Sequence, residues 1–230
     1  MGDEKRALAL LKKIPLLSFL PLDTRERLAG KVEIHEVPRR RVIYLPGDPG
    51  ETVYFIATGR VKISKVTQDG KELTLAYYEA GELLGEFCLI DGSPRQNMAE
   101  AAESSALLEL DRKEFAAIFA DHPQAAWDLI KILAVRRRDI ENKIEQLIFR
   151  DVGSKLAELL LDLSREHGVK HNGGILLSTK ITHQEMANII GSTRETVSLA
   201  LAQFKKKGLI TNEGRKLILV DKEGLYSMAP

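Results

Sequence analysis

Apolar residues recur at three different spacings along this chain, and the changes of spacing mark off its regions. Residues 1–30 carry Leu8, Leu11, Ile14 and Leu16 at helical spacing, with a second helix start at Asp23 just after Pro21. From residue 32 to about residue 110 the pattern shortens to β-type runs, VEIHEV, RRVIYL, TVYFIATG, RVKISKV, ELTLAYY and ALLELD, separated by GDPG, QDGK, EAGE and IDGSPR. Many short strands punctuated by Gly turns, here with glycines at 47, 59, 70, 81 and 85, argue for an antiparallel sandwich or barrel. Residues 60–66 and 72–78 alternate well, and Gln68-Asp69-Gly70 between them supplies a hairpin turn. Residues 122–149 then read as one long helix starting around Pro123. Ile130, Leu133, Ile140, Ile144 and Leu147 fall on a and d positions of a 3.5-residue repeat, and Arg137 takes the remaining a position. Periodicity alone fits a coiled-coil seam and the inner stripe of a helix packed on its own domain equally well.

Residues 182–210 read as two short amphipathic helices joined at Gly191. Thr182 with Glu185, and Ser192 with Glu195, each spell a capping box, in which a hydroxyl and a carboxylate satisfy orphan N–H groups at a helix start. Met186, Ile189 and Ile190 form the inner face of the first helix, and Val197, Leu201 and Phe204 that of the second, so the pair can share one core. Thr193, Arg194, Glu195 and Ser198 are left on the outward face of the second helix. That face suits a major groove: Arg can donate twice to guanine and Glu can accept from cytosine N4. Lys205, Lys206 and Lys207 follow at the helix end, and Lys180, Arg215 and Lys216 flank the unit as candidates for phosphate contacts.

On these residues the segment resembles the winged helix-turn-helix of the cyclic-AMP receptor protein and FNR family of bacterial transcription regulators, and the resemblance extends over nearly the whole chain. It implies an α+β chain: an N-terminal cyclic-nucleotide-binding-type β jelly roll as sensory domain (residues 1–120), a long dimerisation helix (121–150) and a C-terminal winged helix-turn-helix (151–230), with residues 216–225 as wing strand and terminal turn. Arg194 and Glu195 would read base pairs, Thr193 and Thr196 would hold phosphates, and His183 and Gln184 would add backbone contacts, with Ser198 and Lys205 on the same surface. Leu199 stands where the family often has an Arg and offers no hydrogen bond. The implied partners are palindromic double-stranded DNA, a second copy of the chain in a homodimer, and RNA polymerase.

The resemblance also implies an effector site in the stretch Gly81-Glu82-Leu83-Leu84-Gly85-Glu86 and in Arg95. Glu86 would take a ribose hydroxyl, Arg95 a cyclic phosphate, and Gly85 would allow close backbone approach, because a buried phosphate needs a fork-shaped cation and N–H donors to offset its desolvation. Arg136 matches the Arg that approaches the Glu and ribose. Gln96 is bulkier than the small residue usual after the phosphate Arg, and Ile140 and Glu141 stand where hydroxyls contact adenine. A cyclic nucleotide is therefore the candidate cofactor, with cyclic AMP disfavoured. The alternatives are a different effector, an empty pocket with constitutive activity, or a Glu86–Arg95 pair that is purely structural.

Composition narrows the classes. A chain of 230 residues, 44% apolar, has material for two cores, and a net charge of +1 means that any DNA-binding charge is local. From Gly153 onward eleven Lys or Arg face eight Asp or Glu, a balance of +3. The single cysteine, Cys88, rules out an internal disulfide framework and a four-thiolate cluster within one chain, and reads as a small buried hydrophobe; a ligand-, haem- or redox-sensing module acting through a protein partner is the competing reading. The five histidines show no metal-ligand spacing along the chain, and no Walker loop, G-x-S-x-G or H-E-x-x-H motif points to an enzyme. Trp127 reads as core. Lys12, Lys13 and Pro15 break the first apolar run, so neither a secretory signal nor a membrane span is expected, and the expected compartment is the cytoplasm.

Overall fold

The computed structural model describes residues 2–171, 173–214 and 216–229, with the side chains of Gly2, Cys88 and Leu89 outside the description. The chain divides into two compact units, Met1–Asp139 and Ile140–Pro230, with the division inside one long helix.

The first unit opens with α1 (Gly2–Leu11), a single 3₁₀ turn at Pro15–Leu17, and α2 (Leu22–Ala29). Strands β1 (Glu33–Val37), β2 (Val42–Tyr44), β3 (Thr52–Thr58), β4 (Arg60–Val66), β5 (Glu72–Glu79) and β6 (Leu83–Leu84) follow, then helix α3 (Glu86–Asp91). The unit closes with β7 (Met98–Ala101), β8 (Ser105–Asp111), α4 (Arg112–Asp121) and most of α5 (Pro123–Phe149). Two antiparallel sheets, ordered β1-β8-β3-β6 and β2-β7-β4-β5, form the expected jelly roll. Alternation along β3 gives each face its own core. Phe55, with Leu108 and Leu110 of β8, packs against Leu11, Leu17 and Phe115 from the helices, while Ile56 and Leu107 pack between the sheets with Val61, Ile63 and Ala99. The β4–β5 turn is closed as expected, by Thr67 N–H donating to Lys71 O at 2.9 Å with Gly70 at φ 78°.

The second unit begins with the end of α5 and continues through α6 (Val152–His167), β9 (Gly168–His171), β10 (Gly174–Leu177), α7 (His183–Ile190), α8 (Arg194–Lys206), β11 (Ile210–Glu213), β12 (Lys216–Leu219) and α9 (Lys222–Met228). Leu156, Leu160 and Leu161 of α6 form one core with Met186 and Ile190 of α7, Val197, Leu201 and Phe204 of α8, and Leu225 of α9. The sheet runs β11-β12-β10-β9, so the wing hairpin β11–β12 is carried on a second hairpin, β9–β10.

Two expectations are corrected here. Trp127 is 62% exposed on α5, because the register of that helix turns Ala125 and Leu129 inward instead. The second capping box does not form: the N-cap of α8 is Thr193, whose hydroxyl accepts from Thr196 N–H, which places Glu195 at the second helical position, too early to reach back as a box carboxylate does. Among the described residues no helix is long and apolar enough to cross a membrane.

Candidate effector cavity and nucleic-acid interface

A cavity of about 220 Å³ opens in the first unit beside α3, lined among others by Tyr44, Tyr78, Gly85, Glu86, Arg95 and Gln96. Arg95 is 3% exposed and is aimed by backbone carbonyls: Nη1 donates to Gly85 O at 2.8 Å and Nη2 to Thr52 O at 2.5 Å. Its guanidinium lies over the Tyr44 ring, 4.6 Å from the centroid, where the ring face favours a cation. Its Nε is buried and has no hydrogen-bond partner. Gly85 is required by this packing. Its φ is 87°, and a Cβ there would come within 2.2 Å of Arg95 Nη1.

Glu86, 2% exposed, is paired with Arg136 of α5: Arg136 Nη1 donates to Glu86 Oε1 at 2.8 Å, and Nη2 to Leu83 O at 2.7 Å. The Glu86 partner is thus Arg136, and Arg95 donates to the Gly85 and Thr52 carbonyls and, at 3.3 Å, to Thr52 Oγ1. Burial raises the Glu86 carboxyl above the ordinary range, against the charge of Arg136. Tyr78 covers Arg136, with the guanidinium 3.7 Å from its ring centroid, and burial pushes its phenol up to about 12. Gln96 is exposed and lines the cavity, and its Nε2 donates to Pro94 O at 3.2 Å. Ile140 and Glu141 belong to the second unit, half-buried and exposed respectively. The side chain of Cys88 lies outside the description, and with it the expectation that it is a buried hydrophobe.

In the second unit, Thr182 and Glu185 form the full capping box that starts α7, and Gly191 ends that helix at φ 63°. A left-handed residue there turns the chain sharply enough for α8 to start three residues later. Thr193, Arg194 and Glu195 are exposed on the first turn of α8, and Leu199 is 67% exposed one turn on. Ser198 is half-buried: its Oγ donates to Arg194 O at 2.8 Å and lies 2.8 Å from His183 Nδ1, which ties the start of α7 to α8. Gln184 Nε2 donates to Asn188 Oδ1 at 2.8 Å along α7. Thr193 and Thr196 hydroxyls lie 2.9 Å apart, so both belong to the helix cap. Lys205 and Lys206 are exposed in the last turn, and Lys180 and Lys216 are exposed as well; Arg215 lies outside the described residues.

The cyclic nucleotide-binding domain model matches residues 34–122, and the Crp-like helix-turn-helix domain model matches residues 154–228. A CRP-like cAMP-activated global transcriptional regulator of Mycobacterium tuberculosis is 33% identical over 202 residues, 88% of this chain and 90% of the relative. The chain belongs to the Crp/Fnr family of transcription regulators. A second relative, the global nitrogen regulator of a Nostoc species, is 35% identical over 181 residues, covering 78% of this chain and 81% of the relative. Among solved structures, the c-di-GMP-responsive global regulator CLP of Xanthomonas campestris superposes with a TM-score of 0.78 at 28% identity, covering 86% of this chain and 99% of that one. These relatives are named for different effectors or none, so membership of the Crp/Fnr family does not by itself name a ligand for the cavity.

Proposed function

We propose that this Crp/Fnr-family regulator binds palindromic double-stranded DNA as a homodimer and that a small anionic effector in the Glu86–Arg95 cavity controls it. The observation that carries the DNA half is α8. Its inner face is fully committed to the core, while its first turn holds Arg194 and Glu195 in solvent, next to a helix start that can meet a phosphate. Leu199, exposed on the same face, has no donor and can touch a thymine methyl, so that position of the half-site is read by apolar contact. Binding measured against salt on a palindromic duplex tests this, since contacts to phosphates give a steep slope and a protein-docking role gives none.

The dimer half rests on α5. Ile130 and Ile144 are about half exposed on it, both at a positions, and Ile148 and Phe149 are exposed near its end. A second copy of the helix would cover such a seam, and two recognition helices related by a two-fold axis reach half-sites about 34 to 36 Å apart. The effector half rests on the buried guanidinium of Arg95, which lines the cavity beside Glu86, Tyr44 and Tyr78. Cyclic AMP is disfavoured, because Ile140 and Glu141 occupy the positions at which hydroxyls would contact adenine. Calorimetry with cyclic AMP, cyclic GMP and cyclic dinucleotides tests the effector reading; no heat with any of them at millimolar concentration would leave a regulator active without a nucleotide. Contact with RNA polymerase and a cytoplasmic location go with this function.

A further inference from the structure

Away from the effector cavity and the recognition helix, one cluster brings together groups that ligate metals. Glu33 and His35 stand two residues apart on β1 and so share a face, and Glu109 of β8 is directly opposite Glu33 in the antiparallel register. His35 Nε2 lies 2.7 Å from Glu109 Oε2 and 3.8 Å from Glu33 Oε2, and one ligand atom from each residue falls within 4.8 Å of the other two.

Two independent features point to a cation between them. Like charges directly opposite on paired strands oppose pairing. Here the pair sits where β1, the outermost strand of its sheet, joins β8, so positive charge between Glu33 and Glu109 would turn a repulsion into a cross-link. The second feature is the imidazole. His35 Nε2 is enclosed and, despite its close approach to Glu109, makes no hydrogen bond of acceptable alignment. One nitrogen and carboxylate oxygens from two strands thus lie within 4.8 Å of one another, close enough to share one ion.

We propose that Glu33, His35 and Glu109 form a binding site for a divalent first-row transition-metal ion, with water completing its coordination. An imidazole nitrogen with two carboxylates suits Zn²⁺ or Co²⁺, whereas Ca²⁺ and Mg²⁺ favour all-oxygen sets. Tetrahedral Zn²⁺, with ligand bonds of about 2.0 to 2.2 Å, holds its ligand atoms about 3.3 Å apart. The 2.7 and 3.8 Å separations bracket that value, and Glu33, 80% exposed at its side chain, is free to swing into place. A bound ion would clip the edge strand β1 to β8 and stabilise the first unit. The site escapes a search for ligand spacing because its third member comes from a strand remote in sequence, brought in by register alone.

The test is titration of chelator-treated full-length protein with Co²⁺, followed by its visible absorption, with Zn²⁺ as competitor. One ion per chain is expected, displaced by Zn²⁺. His35→Asn and Glu109→Gln should each weaken Co²⁺ binding by about tenfold or more, in line with the effect of disturbing a metal's ligand shell. His171→Asn removes a second imidazole–carboxylate pair, with Glu213 at 2.7 Å, and should leave the affinity unchanged. Unaltered affinity in His35→Asn and Glu109→Gln, or an equal loss in His171→Asn, overturns the site. Should circular dichroism find either variant unfolded, Glu33→Gln, on an exposed side chain, decides in its place: weakened binding supports the site and unchanged binding overturns it.

Discussion

Arg136 gives the first unit a buried charge pair whose value depends on pH. Replacing it with Met leaves Glu86 enclosed without its main counter-charge, and losing one partner of a buried pair costs about 3 kcal/mol or more. The sign follows from Glu86, whose folded pKa burial already raises; without Arg136 it rises further. A carboxyl with a raised folded pKa is stabilising while protonated, and that contribution is lost as pH rises through the folded value. The Arg136→Met deficit should therefore be smaller at about pH 5 than at about pH 8, as compared by urea midpoints of variant and parent. Arg194 belongs to the same scale. Arg194→Ala should weaken binding to the specific duplex by about 1 to 3 kcal/mol and binding to random DNA much less. Equal losses on both duplexes would make Arg194 a phosphate contact. The family resemblance pointed to Arg95, Glu86 and Arg136, yet the carbonyls that aim Arg95, those of Thr52 and Gly85, were settled by how the strands pack around it.

At the scale of elements, local rules worked where the interaction itself is local. The six long β-type runs became strands, the Gln68-Asp69-Gly70 turn closed, and the Thr182–Glu185 box formed, since each depends on contacts a few residues apart. The start of α8 was mistaken by one residue because Ser192 and Thr193 both offer a capping hydroxyl, and the choice lies with the exit angle from Gly191. Stability measurements separate them. Thr193→Ala should cost about 1 kcal/mol, and Ser192→Ala clearly less. Strands β6 and β7, two and four residues long, are too short for an alternation to register, and the β9–β10 hairpin carries Gly168, Gly173 and Gly174 where a pattern would need side chains. Trp127 was misjudged for a related reason: an amphipathic helix has one seam, and a large ring is no proof of which side faces the protein.

For the whole molecule, the exposed stripe on α5 is the feature with the largest consequence. Ile144→Glu places a charge in the seam. Sedimentation should then show a monomer, and affinity for a palindromic duplex should fall by about a hundredfold or more, because two linked modules bind through effective concentration. Affinity for a single half-site should change little. A dimer that persists in the variant would mean that the stripe is covered in some other way. By itself the sequence determined the periodic elements, their order, the Crp/Fnr resemblance and the residues of the recognition turn, all of which rest on spacing within a few residues. Only the tertiary structure decided that Arg95 is aimed by the Gly85 and Thr52 carbonyls, and that Glu33, His35 and Glu109 meet. Those sites depend on strand register and on the packing of distant segments, and hydrophobic periodicity holds no record of which polar groups such packing will bring face to face.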